Sequence, residues 1–286
     1  MKIGLMFANS GPMSDPKLFA HLVKTAENCG IESIWTVEHV VIPRDYKSVY
    51  PYSSSGRIPG NENVPIPDPL LHLAFAASIT SKLKLGTGVL ILPQRHPLYT
   101  AKEVASLDVL SGGRVLLGIG SGWLQEEFTS LNLNFHSRGK MTDEAIESLR
   151  ALWRDDPSSF HGQHYNFGPV SCFPKPIQKG GVPILIGGHS LAAAKRAARY
   201  GDGFFPALGE PAKLQELFAL MKAECAKIGR NPAEIELSCM GRAKSDSIKA
   251  LADIGVSRVV VPPPGYEPDA ITRGLEKIGK EIIARV

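Results

Sequence analysis

Short apolar runs alternate with stretches whose apolar residues recur at helical spacing along the whole chain. Val115–Ile119 is the clearest of the runs, almost uninterrupted, as a strand buried on both faces of a parallel sheet requires. It carries Gly118 and leads into Gly120 and Gly122, so the backbone beyond it can turn tightly and admit a close neighbour. Glu126 and Glu127 follow where a helix would begin, and their charge favours its positive end. The same alternation predicts strands at Lys2–Ala8, Ser33–His39, Lys84–Leu92, Val182–Ile186, Gly203–Ala207, Glu234–Met240 and Ser257–Val261. Helices are predicted at Asp15–Cys29, Asp68–Thr80, His96–Ser111, Asp143–Trp153 with Thr142 as N-cap, Leu191–Tyr200, Ala212–Ile228, Ser245–Ile254 and Asp269–Arg285.

Eight strand–helix pairs in 286 residues point to an α/β fold, a single (β/α)8 TIM barrel over residues 1–286. In such a barrel, sites lie at the C-terminal ends of the strands. An open doubly wound sheet is the alternative, weakened because the first turn, Asn9 to Asp15, lacks a GxGxxG pattern. Two insertions interrupt the alternation. Residues 43–69, rich in Pro, Ser, Gly and Tyr, follow strand two on the mouth side. Residues 155–181 enter from the opposite end, include a hairpin-like segment from His161 to Phe167, and must fold back to reach the mouth.

Composition narrows this little: 43% hydrophobic, 21% charged and a net charge of +4, ordinary for a soluble globular protein. The positive excess is too diffuse for nucleic acid, and no apolar run is long enough to span a membrane. Cys29, Cys172, Cys225 and Cys239 form no CxxC pair and read as reduced thiols, and the N-terminus has no signal-peptide layout, so a cytoplasmic protein is expected.

Chemistry is expected at the strand ends. Glu38 and His39 close strand two; an imidazole there can exchange a proton near neutral pH, with the adjacent carboxylate biasing it, or it can simply pack. Gly187, Gly188, His189 and Ser190 open the helix Leu191–Tyr200, either as an anion site or as a plain glycine turn with a serine cap. Gly88 and Val89 lie in a strand where glycine serves packing or close approach of a ligand. Arg95 and Arg138 follow strands three and four and read as solvated side chains. No metal cluster, GxSxG elbow or P-loop is present, and no lysine falls at a distal strand end for Schiff-base chemistry.

Taken together, Gly86 to Pro97, Leu107 to Arg114, Gly118 to Phe128, Arg138 to Trp153, Ile186 to Ser190 and Ala197 to Gly203 resemble the luciferase-like flavin and deazaflavin oxidoreductases. Glu38 to Arg44, with Tyr50, Tyr52 and Gly56 to Gly60, is most similar to the branch that uses coenzyme F420. The resemblance implies hydride transfer between F420 and a small organic substrate, with catalytic His39 and Glu38. It puts the cofactor ring near Gly88, Val89, Gly120, Ser121 and Gly122, its phosphate tail at Gly188, His189 and Ser190, and the substrate beside Trp123 and Arg138. It further implies a cis peptide between Gly88 and Val89. Sugar-phosphate dehydrogenases of the branch carry glutamate where Trp123 stands, which sets that substrate aside. A homodimer is expected. The alternatives are an FMN-dependent monooxygenase fed by a separate flavin reductase, a flavin-binding protein without catalysis, and a phosphate-substrate lyase or isomerase without cofactor, which the missing mouth lysine weakens.

Overall fold

A computed structural model describes residues 1–285. Eight parallel strands close into a barrel: β1 (Lys2–Leu5), β2 (Ser33–Thr36), β3 (Lys84–Thr87), β5 (Val115–Gly120), β8 (Ile184–Gly187), β9 (Gly203–Phe205), β10 (Glu236–Met240) and β11 (Arg258–Val261). The ring closes through β1 against β11 and through β3 against β5. A short β4 (Leu90–Ile91) continues β3 and pairs with the end of β5. The run expected as one strand, Lys84–Leu92, is thus broken at Gly88–Val89, and that peptide is cis, as the resemblance implied.

Helices α1 (Pro16–Asn28), α2 (Pro69–Ile79), α3 (Pro97–Ser111), α5 (Arg138–Arg154), α6 (Leu191–Tyr200), α7 (Pro211–Lys227), α8 (Ser245–Asp253) and α9 (Pro268–Glu281) surround the barrel, and a short α4 (Gln125–Ser130) follows β5. Their starts are legible chemistry. Asp15 and Asp68 accept hydrogen bonds from the first free N–H groups of α1 and α2, and proline stands at the start of both. The N-cap expected at Thr142 is wrong. The helix starts one turn earlier, at Arg138, and Thr142 lies inside it, donating its hydroxyl to the Arg138 carbonyl at 2.7 Å.

The barrel interior is filled by Met6, Trp35, Leu116, Leu185, Phe205 and Val260. Trp35 is fully buried and donates its indole N–H to the Ser33 hydroxyl at 2.9 Å. A side chain at Gly4 or Gly86 would run into its ring, so those two glycines make the space that Trp35 occupies. The floor is shut by Arg258, buried between Glu32, Glu236 and Ser238. Chemistry is left to the other end.

The insertion 155–181 forms an antiparallel hairpin of β6 (Ser158–His161) and β7 (Asn166–Val170). It runs back along α5, where Glu144 accepts the N–H groups of Gln163, His164 and Tyr165, and the Tyr165 ring lies 5.9 Å from His96 at the start of α3.

Candidate active site

Strand β2 ends at Thr36, so Glu38 and His39 stand beyond the sheet on the mouth side. Asn9, four residues beyond β1, fixes this exit: its side chain accepts from the Val37 N–H and donates to the carbonyls of Val37 and Pro67. Glu38 and His39 then part company. The Glu38 carboxylate is buried and turned to the Ile91 N–H at 2.5 Å and to the Arg95 guanidinium. Arg95 also meets Asp68 at 2.6 Å and Glu103 at 3.4 Å, so it is a fixed, half-buried side chain and not the solvated one its sequence position suggests. Burial pushes the Glu38 carboxyl up from its ordinary value, against the pull of Arg95 and the Ile91 N–H.

The carboxylate on His39 is Glu127, not its neighbour Glu38. Glu127, on the first turn of α4, is fully buried and lies 2.9 Å from Nδ1 of His39. Its second oxygen accepts the N–H groups of Val40 at 2.7 Å and Val41 at 3.3 Å. Sequence reasoning gave Glu127 only a helix-dipole role, because the two residues stand 88 positions apart and nothing local marks the pairing. Next to it, Glu126 accepts from Lys47 N–H, Ser48 N–H and the Ser48 hydroxyl. Glu126 thus pins the first part of the insertion 43–69, and Glu127 the two residues that lead into it.

That insertion brings aromatic rings into line. Tyr46, Tyr50 and His39 all meet Trp123 edge-on, with centroids 5.1–5.7 Å apart. Tyr50 meets Tyr52 at 5.4 Å, and Tyr52 meets His189 at 5.0 Å. An aromatic arc therefore runs from His39 to His189. Burial, with Tyr46 nearby, pushes the Tyr50 hydroxyl above its ordinary value.

The glycines of the mouth divide by what approaches them. A side chain at Gly120 or Gly187 would strike Val89, so the close neighbour those strand ends admit is Val89 itself. Gly122 has φ of 81°, and a side chain there would strike Phe128. The hydroxyls of Ser121 and Thr142 lie 3.0 Å apart. The Gly122 carbonyl accepts from Arg138 Nε at 3.2 Å. The Arg138 guanidinium lies 3.7 Å over the Phe135 ring, half-buried and with no carboxylate partner among the described residues. Burial and neighbouring Arg196 lower its pKa.

At the start of α6, Ser190 accepts the Ala193 N–H at 3.2 Å and so is the N-cap. Among the described residues, the N–H groups of Gly188, His189 and Ser190 find no acceptor within the chain. Nδ1 of His189 is buried there without a partner, and burial lowers that imidazole's pKa. Free N–H groups at the positive end of a ten-residue helix, beside an orphaned imidazole nitrogen, suit an anionic group. Gly188, His189 and Ser190 thus stand together at this helix start, with three free N–H groups and one partnerless ring nitrogen. Among the described residues no cluster of His, Cys, Asp or Glu could hold a metal ion, and no helix is long and apolar enough to cross a membrane.

The chain shares this architecture with known proteins. It is 33% identical over 291 residues to the uncharacterised protein Rv0940c of Mycobacterium tuberculosis, covering 99% of this chain and 100% of that one. It is 36% identical over 137 residues to the FMNH2-dependent dimethylsulfone monooxygenase of Pseudomonas putida, covering 47% of this chain and 37% of the relative. An F420-dependent secondary alcohol dehydrogenase, solved with an F420–acetone adduct, superposes with a TM-score of 0.79 at 18% identity, covering 99% of this chain and 98% of that one, a likeness of fold. Residues 1–253 match the family described as luciferase-like monooxygenase. With that match spanning most of the chain, and with the closed parallel barrel and glycine-rich mouth described above, this protein belongs to the luciferase-like monooxygenase family, a flavin- or deazaflavin-dependent group of oxidoreductases.

Proposed function

We propose that the chain is an F420-dependent oxidoreductase that moves a hydride between the deazaflavin and a small organic alcohol or carbonyl compound. The observation that carries this is His39, fixed at the mouth by Glu127 with its Nε2 free of any bond within the described chain. A hydride moved to or from carbon must be matched by a proton at the neighbouring oxygen, and a fixed imidazole supplies or takes it. Bound at the mouth, the deazaflavin would supply the hydride chemistry. The chain's residues bind and orient. Gly88, Val89, Gly120, Ser121 and Gly122 would border the ring; Gly188, His189 and Ser190 would hold the phosphate through the orphaned N–H groups and His189 Nδ1. Trp123 and the unpaired Arg138 face the substrate side, and the aromatic arc excludes water. Glu38 holds Arg95 and the end of β4, so its part is to fix the continuation of strand three beside His39.

The similarity to an FMNH2-dependent monooxygenase favours a second reading, oxygen insertion with reduced FMN supplied by a separate reductase. Titrating purified protein with F420 and FMN, each oxidised and reduced, separates the two. The proposal expects F420 to bind at least about tenfold more tightly than FMN, a difference of about 1.4 kcal/mol. Tighter FMN binding, together with oxygen-dependent turnover, overturns it.

A further inference from the structure

We infer that Glu127 is a positioning residue that selects which nitrogen of His39 does the proton work. This rests on the reading of His39 as the proton donor or acceptor, and it adds a specific electrostatic device to it. Glu127 is fully buried, and a carboxylate only accepts hydrogen bonds. One of its oxygens is taken by the main chain of Val40 and Val41, the two residues after His39. The other faces Nδ1 of His39 at 2.9 Å. Nδ1 therefore carries a hydrogen in every state of the ring, and the neutral imidazole has Nε2 as its lone-pair nitrogen. The edge of Trp123, 5.7 Å away by centroids, limits rotation of the ring out of this position. The same carboxylate fixes the backbone that leads into the insertion 43–69, so ring orientation and the root of that insertion share one anchor.

The geometry makes a sharp forecast for Glu127→Gln. The N–H groups of Val40 and Val41 require an oxygen opposite them, so the amide turns its oxygen to the main chain and its NH2 to His39. Nδ1 then has to accept, and the neutral ring changes to the Nε2–H form. The substitution is nearly isosteric and keeps both main-chain bonds, so the fold is retained and can be checked by circular dichroism.

The test is nitrogen NMR of histidine-labelled protein at an alkaline pH where imidazoles are neutral, with the His39 signals assigned by their loss in His39→Gln. Wild type is expected to show His39 with a protonated Nδ1 and a bare Nε2. Glu127→Gln is expected to reverse the two. Wild-type His39 protonated on Nε2, with or without a folded variant, overturns the inference; so does an unchanged pattern in Glu127→Gln. Because this readout needs no substrate, it is separate from the test of the functional reading. Tight FMN binding, or an unimpaired His39→Ala enzyme, removes the role given to His39 and leaves the measured tautomer as a distinct result.

Discussion

A proton-transfer group is useful only when its reacting atom is held still, and the proposed role of His39 rests on that at the scale of single residues. His39 has one nitrogen on Glu127 and one free. Under the proposed function, replacing His39 with alanine is expected to lower turnover by about 10²–10⁴-fold while the cofactor still binds, as loss of a general acid or base does. Steady-state rates beside a cofactor titration check this, and undiminished turnover would leave His39 a packing residue. Gly88, inside an expected strand, was marked only by the resemblance; His39 was legible as the close of an apolar run, and Gly120 and Gly188 as residues just after one. Glu127 and Arg95 were not. Each is a charged residue on a solvent-like stretch, and what fixes it is a partner 88 or 57 positions away that only the closed barrel brings near. The sequence shows a carboxylate; it does not show what folds onto it.

At the scale of elements, the boundaries that moved have local causes. Helix α5 was expected to begin after Thr142 because threonine is a favoured N-cap residue. Tertiary contact overrides that: Arg196 of α6 donates to the Gly139 carbonyl at 3.0 Å and holds the first turn. The hairpin β6–β7 was legible as a hairpin, but its docking was not. It depends on Glu144, whose carboxylate accepts from three successive N–H groups. Partial burial pushes Glu144 up, but those bonds, with His164, outweigh it and hold its pKa below the ordinary value. A carboxyl lowered in the folded state stabilises above its unfolded pKa, and that stability is lost as pH falls through the folded value. Glu144→Gln is therefore expected to cost about 1 kcal/mol at neutral pH, allowing for its exposure. Urea midpoints at neutral pH and near pH 3 measure this; the variant and the wild type should converge at the acid end, and a gap that persists there would put the loss down to something other than charge.

For the whole molecule, the seam between β3 and β5 is the tightest joint. Gly118 lies against Thr87, whose hydroxyl donates to the Gly118 carbonyl at 2.7 Å, and a methyl group at Gly118 would overlap the Thr87 carbonyl oxygen. Gly118→Ala is expected to destabilise the barrel by about 3 kcal/mol, the upper part of the range for overpacking, read as a lowered denaturation midpoint; a wild-type midpoint would show a seam able to spread. The alternation of runs was enough to count the strands and foresee the barrel, since eight period-driven pairs admit few other closures. The geometry of the mouth was beyond it, because the insertion 43–69 has no period and takes its shape from where it is tied. Those ties are unevenly spread. Asn9 joins Val37 to Pro67 at the root, and Glu126 and Glu127 hold the N–H groups of Val40, Val41, Lys47 and Ser48. From Ser53 to Asn63 the chain bonds to itself over short spans and, through Gly56, Arg57 and Ile58, to Tyr46 and Tyr50 of the same insertion, with no hydrogen bond to the barrel among the described residues. Hydrogen exchange should follow this division, with slow deuterium uptake at 40–48 and rapid uptake at 53–63, and a protease should cut first in the second segment. A nick there would leave the root clasped, so the two fragments would stay associated and the aromatic arc would outlast the break in the chain.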